Sequence, residues 1–175
     1  MKVRNMALCA LFAALLTICA WIAIPATDIA FTLQTLGVFL TLGLLGGKRG
    51  TAAIMVYMAM GAVGLPVFSG FRGGIGILLG ATGGYIWGFL AAGMVYWLLT
   101  ALLPSKNICR LLCMVAGQLI CYALGTLWFY FLYLQGGSNS VWPVIAQCVL
   151  PYLIPDSIKL LLAWILTGRL NRFVY

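Results

Sequence analysis

The sequence predicts an all-α integral membrane protein, a six-transmembrane-helix bundle forming one membrane domain over residues 1–175. Three observations carry this expectation. The 175-residue chain is 65% hydrophobic and only 7% charged, against about 45–50% and about 25% in soluble domains, and a water-soluble fold of this size has nowhere to hide the excess apolar surface. Apolar runs approaching the roughly 20 residues of a spanning helix occupy nearly the whole chain. Basic residues punctuate alternate gaps between those runs, the pattern that marks the cytoplasmic side of a membrane protein.

The first helix is expected over residues 5–24, stopping at Pro25. With Lys2 and Arg4 ahead of it the start resembles a signal peptide, but the apolar run exceeds the about 7–15 residues of a signal core, so a retained helix is expected. Residues 25–31, containing Asp28, read as a loop. The second helix covers 32–45, Gly46-Gly47-Lys48-Arg49-Gly50 is a turn, and the third covers 51–63. Both are short for a full span. Residues 67–84 carry seven glycines (70, 73, 74, 76, 80, 83 and 84) and suit regular helix poorly. Irregular backbone at membrane depth survives only when buried in protein or lining a cavity, so this stretch is expected to be a loop folding back over the bundle. The fourth helix covers 82–103 and the fifth 108–134, followed by a polar turn at 135–140. The sixth covers 142–167 and is expected to be interrupted near Pro151 and Pro155.

With six passes, Lys2 and Arg4, Lys48 and Arg49, Lys106 and Arg110, and Arg169 and Arg172 all fall on one side, so both termini are expected to be cytoplasmic. Arg72 is left in an outer loop and Lys159 within the last helix. The balance of 10 Lys+Arg against 2 Asp+Glu is therefore topological and no sign of nucleic-acid binding. Six cysteines without a histidine or a CxxC pair read as packing residues, and no metal site is expected. The glycines form neither a phosphate loop nor a dinucleotide fingerprint. Without histidine and with so few acids, acid–base catalysis has few candidates, so no enzyme is expected and no catalytic residue is assigned.

Asp156 and Lys159 are the residues that ask for a function. They lie three apart on one helix face, and a charge inside a spanning helix costs about 2.5–3.5 kcal/mol on insertion scales. Two readings fit: an intrahelical pair anchoring the helix near the interface, or a ligand site. Phe68 and Tyr85 belong to a set of outer-half aromatics with Trp21, Phe31, Trp87 and Trp142. These are either interfacial belt residues or walls of a pocket closed by the 25–31 and 67–80 loops. Gln34, just inside the second helix, needs a partner when buried, and either a neighbouring helix or a ligand supplies it. Arg72 is a solvated loop charge or an attractor of an anionic ligand. Ala10 and Ala14 form a small-xxx-small pair that permits close approach, either within the bundle or to another membrane protein.

Taken together, Thr32-Leu33-Gln34-Thr35-Leu36-Gly37-Val38, Gly61-Ala62-Val63-Gly64-Leu65-Pro66-Val67-Phe68, Gly80-Ala81-Thr82-Gly83-Gly84-Tyr85 and Pro155-Asp156-Ser157-Ile158-Lys159 resemble the BioY family, over nearly the whole chain. BioY proteins are the biotin-specific substrate-binding (S) components of energy-coupling factor (ECF) transporters. Ala81 departs from the proline that members often carry there. The resemblance implies the S-component fold and a multi-pass place in the bacterial inner membrane. It implies biotin as transported ligand rather than cofactor, with Asp156 and Lys159 as binding residues. It also implies docking of an ECF transmembrane coupling subunit on Ala10 and Ala14, with two cytoplasmic ATPase subunits behind it. Physically, Asp156 suits the N–H groups of the ureido ring, while Lys159 suits either the ureido oxygen or the carboxylate. The rival readings are an S component for another vitamin and a solitary ion-coupled secondary transporter, although no paired inverted repeat is visible.

Overall fold

The computed structural model describes residues 3–24, 31–104, 106–133 and 142–174. Helix α1, Val3–Trp21, buries Phe12, Leu16, Cys19 and Ala20 along one stripe and leaves Leu11 and Ile18 on the opposite face, as a helix between protein and lipid must. A two-stranded hairpin follows that hydropathy did not foretell: β1, Ala23–Ile24, pairs antiparallel with β2, Phe31–Thr32. Of the expected 25–31 loop only Phe31 lies within the described residues, and the expected 135–140 turn lies outside them.

Helix α2, Gln34–Ala62, replaces the predicted second and third helices. It is broken at Gly46 alone (φ 76°, ψ 166°), a conformation essentially confined to glycine. The two arms double back on each other: a Cβ on Gly50 would fall 2.9 Å from the Cα of Leu42, whereas residues eight apart in one straight helix are separated by about 12 Å. The expected five-residue turn is thus corrected to a single residue, because Lys48 and Arg49 are good helix formers and one glycine suffices to reverse the chain. The second arm then packs so closely on α4 that a Cβ on Gly47 would meet the Trp97 backbone at 2.4 Å.

The glycine-rich stretch is also more ordered than expected. A Phe68–Arg72 bridge closes a tight turn through Gly70 and Phe71, both at positive φ, and a short helix α3 spans Ile75–Leu79. Helices α4, Gly83–Leu102, and α5, Asn107–Tyr133, pack along their length. Helix α6, Trp142–Cys148, is separated from α7, Leu150–Val174, at Val149. The interruption expected at Pro155 does not occur. Pro151 stands in the first turn, where a backbone N–H has no helical partner to lose. Pro155 forgoes only the bond back to the Pro151 carbonyl, inside an otherwise continuous helix.

Among the described residues, four helices, α1, α4, α5 and α7, are long and apolar enough to cross a membrane. Tyr57, Phe39, Leu42, Ile54 and Met114 fill the centre of the bundle. Its two ends differ in charge. The Cys9 thiol meets the Arg49 carbonyl at 3.6 Å, the Trp164 indole donates to the Asn107 carbonyl at 2.9 Å, and Gly47 abuts Trp97. These contacts gather Arg4, Lys48, Arg49, Lys106, Arg110 and Arg169 at one end. Lys2 and the Arg172 side chain lie outside the described residues. At the other end Trp21 donates to the Pro66 carbonyl at 2.8 Å, and Arg72, Lys159 and Asp156 lie nearby.

Candidate ligand-binding site

At the end away from the basic cluster, α2, α4, α5, α7 and the 67–74 turn enclose a cavity of about 230 Å³. Asp156 and Lys159 line it, each only 6% exposed. Their spacing on α7 brings Lys159 Nζ to 2.9 Å from Asp156 Oδ1. The same Nζ donates to the Thr32 carbonyl at 2.7 Å and sits 4.0 Å from the centre of the Phe31 ring. Pairing of β1 with β2 therefore sets the lysine, because it presents the Thr32 carbonyl and the Phe31 face together. Phe31 in turn stacks on Tyr152 of α7 at 5.7 Å.

The other carboxylate oxygen is held from α5. The Tyr122 hydroxyl donates to Asp156 Oδ2 at 2.8 Å, and Gln118 Nε2 approaches it at 3.5 Å. Gln118 and Tyr122 are one helical turn apart and so share a face. They are the site residues that sequence reading missed, although an amide and a phenol four apart within an apolar run were the available signal. The remaining capacity defines the chemistry. A carboxylate offers about four acceptor positions and an ammonium three donors. Lys159 spends two donors on protein, and Asp156 keeps room for a further N–H. A ligand therefore meets an acceptor and a donor side by side in a largely apolar chamber.

Gln34 finds partners within the protein, as the first of its two readings expects, and it also lines the cavity. Its Nε2 donates to the Tyr57 hydroxyl at 2.8 Å and its Oε1 accepts from Thr32 Oγ1 at 3.1 Å. Tyr57 passes the chain on to the Val67 carbonyl at 3.2 Å, so this network ties both arms of α2 to the turn above the cavity. Phe68 is buried in the wall, edge-on to Tyr57, and Tyr85 forms part of the opposite wall. The Tyr85 ring lies so flush on α5 that a Cβ on Gly125 would fall 2.3 Å from it. Arg72, which is exposed, lines the cavity from the turn, with Nε donating to the Ser69 carbonyl at 3.2 Å. Trp21, Trp87 and Trp142 are not among the lining residues. Ala10 and Ala14 are exposed on the outer face of α1, whereas neighbouring Ala13 is the alanine packed in the core. Among the described residues, no three His, Cys, Asp or Glu side chains come together as metal ligands.

The BioY family model matches residues 1–175. The chain belongs to the BioY family. Among curated BioY relatives, the biotin transporter of Thermotoga maritima is 38% identical over 97% of this chain and 96% of its own length. The biotin transporter of Rhodobacter capsulatus is 34% identical over 98% and 93%. A solved structure, the 2.1 Å crystal structure of the S component for biotin from an ECF-type ABC transporter, superposes with a TM-score of 0.83 at 25% identity, covering 98% of this BioY chain and 92% of that one. The doubled α2 and the α7 that carries Asp156 and Lys159 are thus elements of the BioY fold.

Proposed function

We propose that this chain is the high-affinity biotin-binding component of an uptake transporter. It takes biotin from outside the cell and delivers it together with an ECF energy-coupling module. The observation that carries the reading is the buried Asp156–Lys159 pair with one acceptor and one donor position to spare. A cyclic urea presents N–H groups beside a carbonyl, the complement of that arrangement. Asp156 accepts from a ureido N–H and Lys159 donates its third N–H to the ureido oxygen. Phe68 and Tyr85 hold the apolar rings, Gln34 braces the wall, and the valerate carboxylate lies toward Arg72.

The chain crosses the bacterial inner membrane six times in this reading, each arm of α2 making one pass, with both termini and the basic end in the cytoplasm. The exposed Ala10 and Ala14 give α1 a smooth strip for a transmembrane coupling subunit, which two cytoplasmic ATPase subunits drive. The chain itself is not an enzyme, and it binds biotin as cargo.

Calorimetry on the purified protein in detergent tests the reading. Biotin is expected to bind one-to-one, while thiamine and riboflavin give no heat; folded protein that prefers either control would assign the site to another vitamin. Two variants probe the geometry. Tyr122→Phe removes a hydrogen bond to a charged group, a loss of about 1.5–3 kcal/mol, so biotin affinity should fall roughly 10- to 150-fold. Arg72→Gln should weaken biotin about 5- to 50-fold but leave biotin methyl ester, which lacks the anion, nearly unchanged. An equal effect on both ligands would remove Arg72 from the carboxylate.

A further inference from the structure

Asp156 and Lys159 together engage one N–H and the oxygen of a cyclic urea, and leave its second N–H without a partner. The two N–H groups of such a ring lie on either side of the carbonyl and point apart, so one carboxylate does not take both while Lys159 meets the oxygen between them. The second N–H is buried with the ligand, and a buried donor without an acceptor carries its full desolvation cost. An acceptor is therefore needed on the far side of Lys159 from Asp156. The ammonium fixes where that side is. Lys159 Nζ lies 2.9 Å from Asp156 Oδ1 and 2.7 Å from the Thr32 carbonyl, so it stands between the carboxylate and the start of α2.

Thr35 is the residue that the cavity presents there. It lines the cavity, is only 7% exposed, and follows Thr32 by three residues in the first turn of α2. Among the described residues its hydroxyl has no hydrogen-bond partner, and the reason is positional. A threonine inside a helix can spend its hydroxyl on the carbonyl four residues back, as Thr17, Thr41 and Thr51 do on Ala13, Gly37 and Gly47. Four residues before Thr35 stands Phe31, which belongs to β2, so no preceding helical turn offers that carbonyl. The neighbouring side chains are committed: the Gln34 carboxamide is held by Tyr57 and Thr32, and the Thr32 hydroxyl donates to Gln34. Ser69 and Thr82, also in the lining, stand on the 67–74 turn and just before α4, not at the helix end that Lys159 reaches. We infer that Thr35 Oγ1 accepts the second ureido N–H, so that Asp156, Lys159 and Thr35 meet a cyclic urea as acceptor, donor and acceptor. This role rests on the biotin reading and extends it: Thr35 lets the site tell a urea from a ring with a single N–H.

Titration calorimetry of the full chain in detergent tests this with biotin and two cyclic carbamates, in each of which one ureido N–H is replaced by a ring oxygen. The wild type is expected to bind both carbamates more weakly than biotin. Thr35→Val keeps the shape and gives up no hydrogen bond within the protein. Its unfolding midpoint should therefore match the wild type, while its affinity for biotin falls about 5- to 150-fold. The carbamate lacking the N–H that faces Thr35 should then bind Thr35→Val at least as well as biotin does. The carbamate altered on the Asp156 side should stay weaker than biotin on both proteins. Thr35→Ser, which restores the hydroxyl, should recover most of the loss. Unchanged biotin affinity in Thr35→Val, or an equal loss for biotin and both carbamates, would overturn the role of Thr35 and leave the biotin reading standing. Should Thr35→Val fail to fold, wild-type protein that binds one carbamate as tightly as biotin overturns the role without any variant. No biotin binding by the wild type would overturn the biotin reading and this role with it.

Discussion

Asp156→Asn should lower biotin affinity by about 30-fold to several thousand-fold. Truncating one partner of a buried, hydrogen-bonded charge pair costs about 2–5 kcal/mol, much of it from stranding the other charge. Here the stranded group is Lys159, 6% exposed and left with the Thr32 carbonyl and the Phe31 ring as neighbours. The amide nitrogen of the variant also turns an acceptor into a donor at Oδ1 or Oδ2. It then opposes either the Lys159 ammonium or the Tyr122 hydroxyl, both donors in the wild type. The change should appear in titration calorimetry as a loss of binding enthalpy, while circular dichroism reports an intact helical fold. Replacing both charges, Asp156→Leu with Lys159→Met, separates stability from binding. A buried pair replaced by apolar residues is often neutral or stabilising, so the double variant should unfold no earlier than Asp156→Asn and still fail to bind biotin. Normal biotin binding by Asp156→Asn would remove the carboxylate from the site.

Gly46→Ala should destabilise the protein by about 1–3 kcal/mol, lowering its midpoint of unfolding by roughly 2–10 °C, with biotin affinity nearly unchanged in the fraction that folds. The backbone at Gly46 is at φ 76°, ψ 166°, where a Cβ is sterically opposed, and both arms of α2 depend on that reversal. Relief is blocked on one side, because Gly47 already touches the Trp97 backbone and cannot move toward α4. Gly76→Ala is the matched control: it lies in α3 at ordinary φ with open space around it, and alanine is the better helix former. Its midpoint should stay level or rise slightly. If Gly46→Ala unfolded no earlier than Gly76→Ala, the bend would not depend on glycine.

Much of the protein was legible in its residues. Apolar runs located α1, α4 and α5 to within a few residues, because a bilayer demands long helices whose backbone is satisfied internally, whereas the last expected helix, 142–167, took in α6 and stopped seven residues short of the end of α7. Charges inside a last helix marked Asp156 and Lys159 because burying them is costly wherever they fall, and four short motifs carried the family. Boundaries set by one backbone torsion were less visible. A five-residue window of three glycines and two cations could not say that Gly46 alone turns the chain, nor that Pro155 sits inside a continuous α7. Hydropathy had no means of finding the β1–β2 pairing, since two-residue strands have no periodicity to read.

By itself, then, the sequence determined a membrane bundle, its family, and the pair of charges at its candidate ligand site, all of which rest on composition, local spacing and motif. Only the tertiary structure decided what those charges touch. Tyr122 reaches Asp156 from 34 residues away, and Thr32 reaches Lys159 from 127. It also decided that Ala10 and Ala14 face outward while Ala13 faces the core. The physical reason is that hydrogen-bond partners across a bundle are chosen by packing between helices, which depends on the rotation of each helix about its own axis. In a segment apolar all round, no polar face announces that rotation.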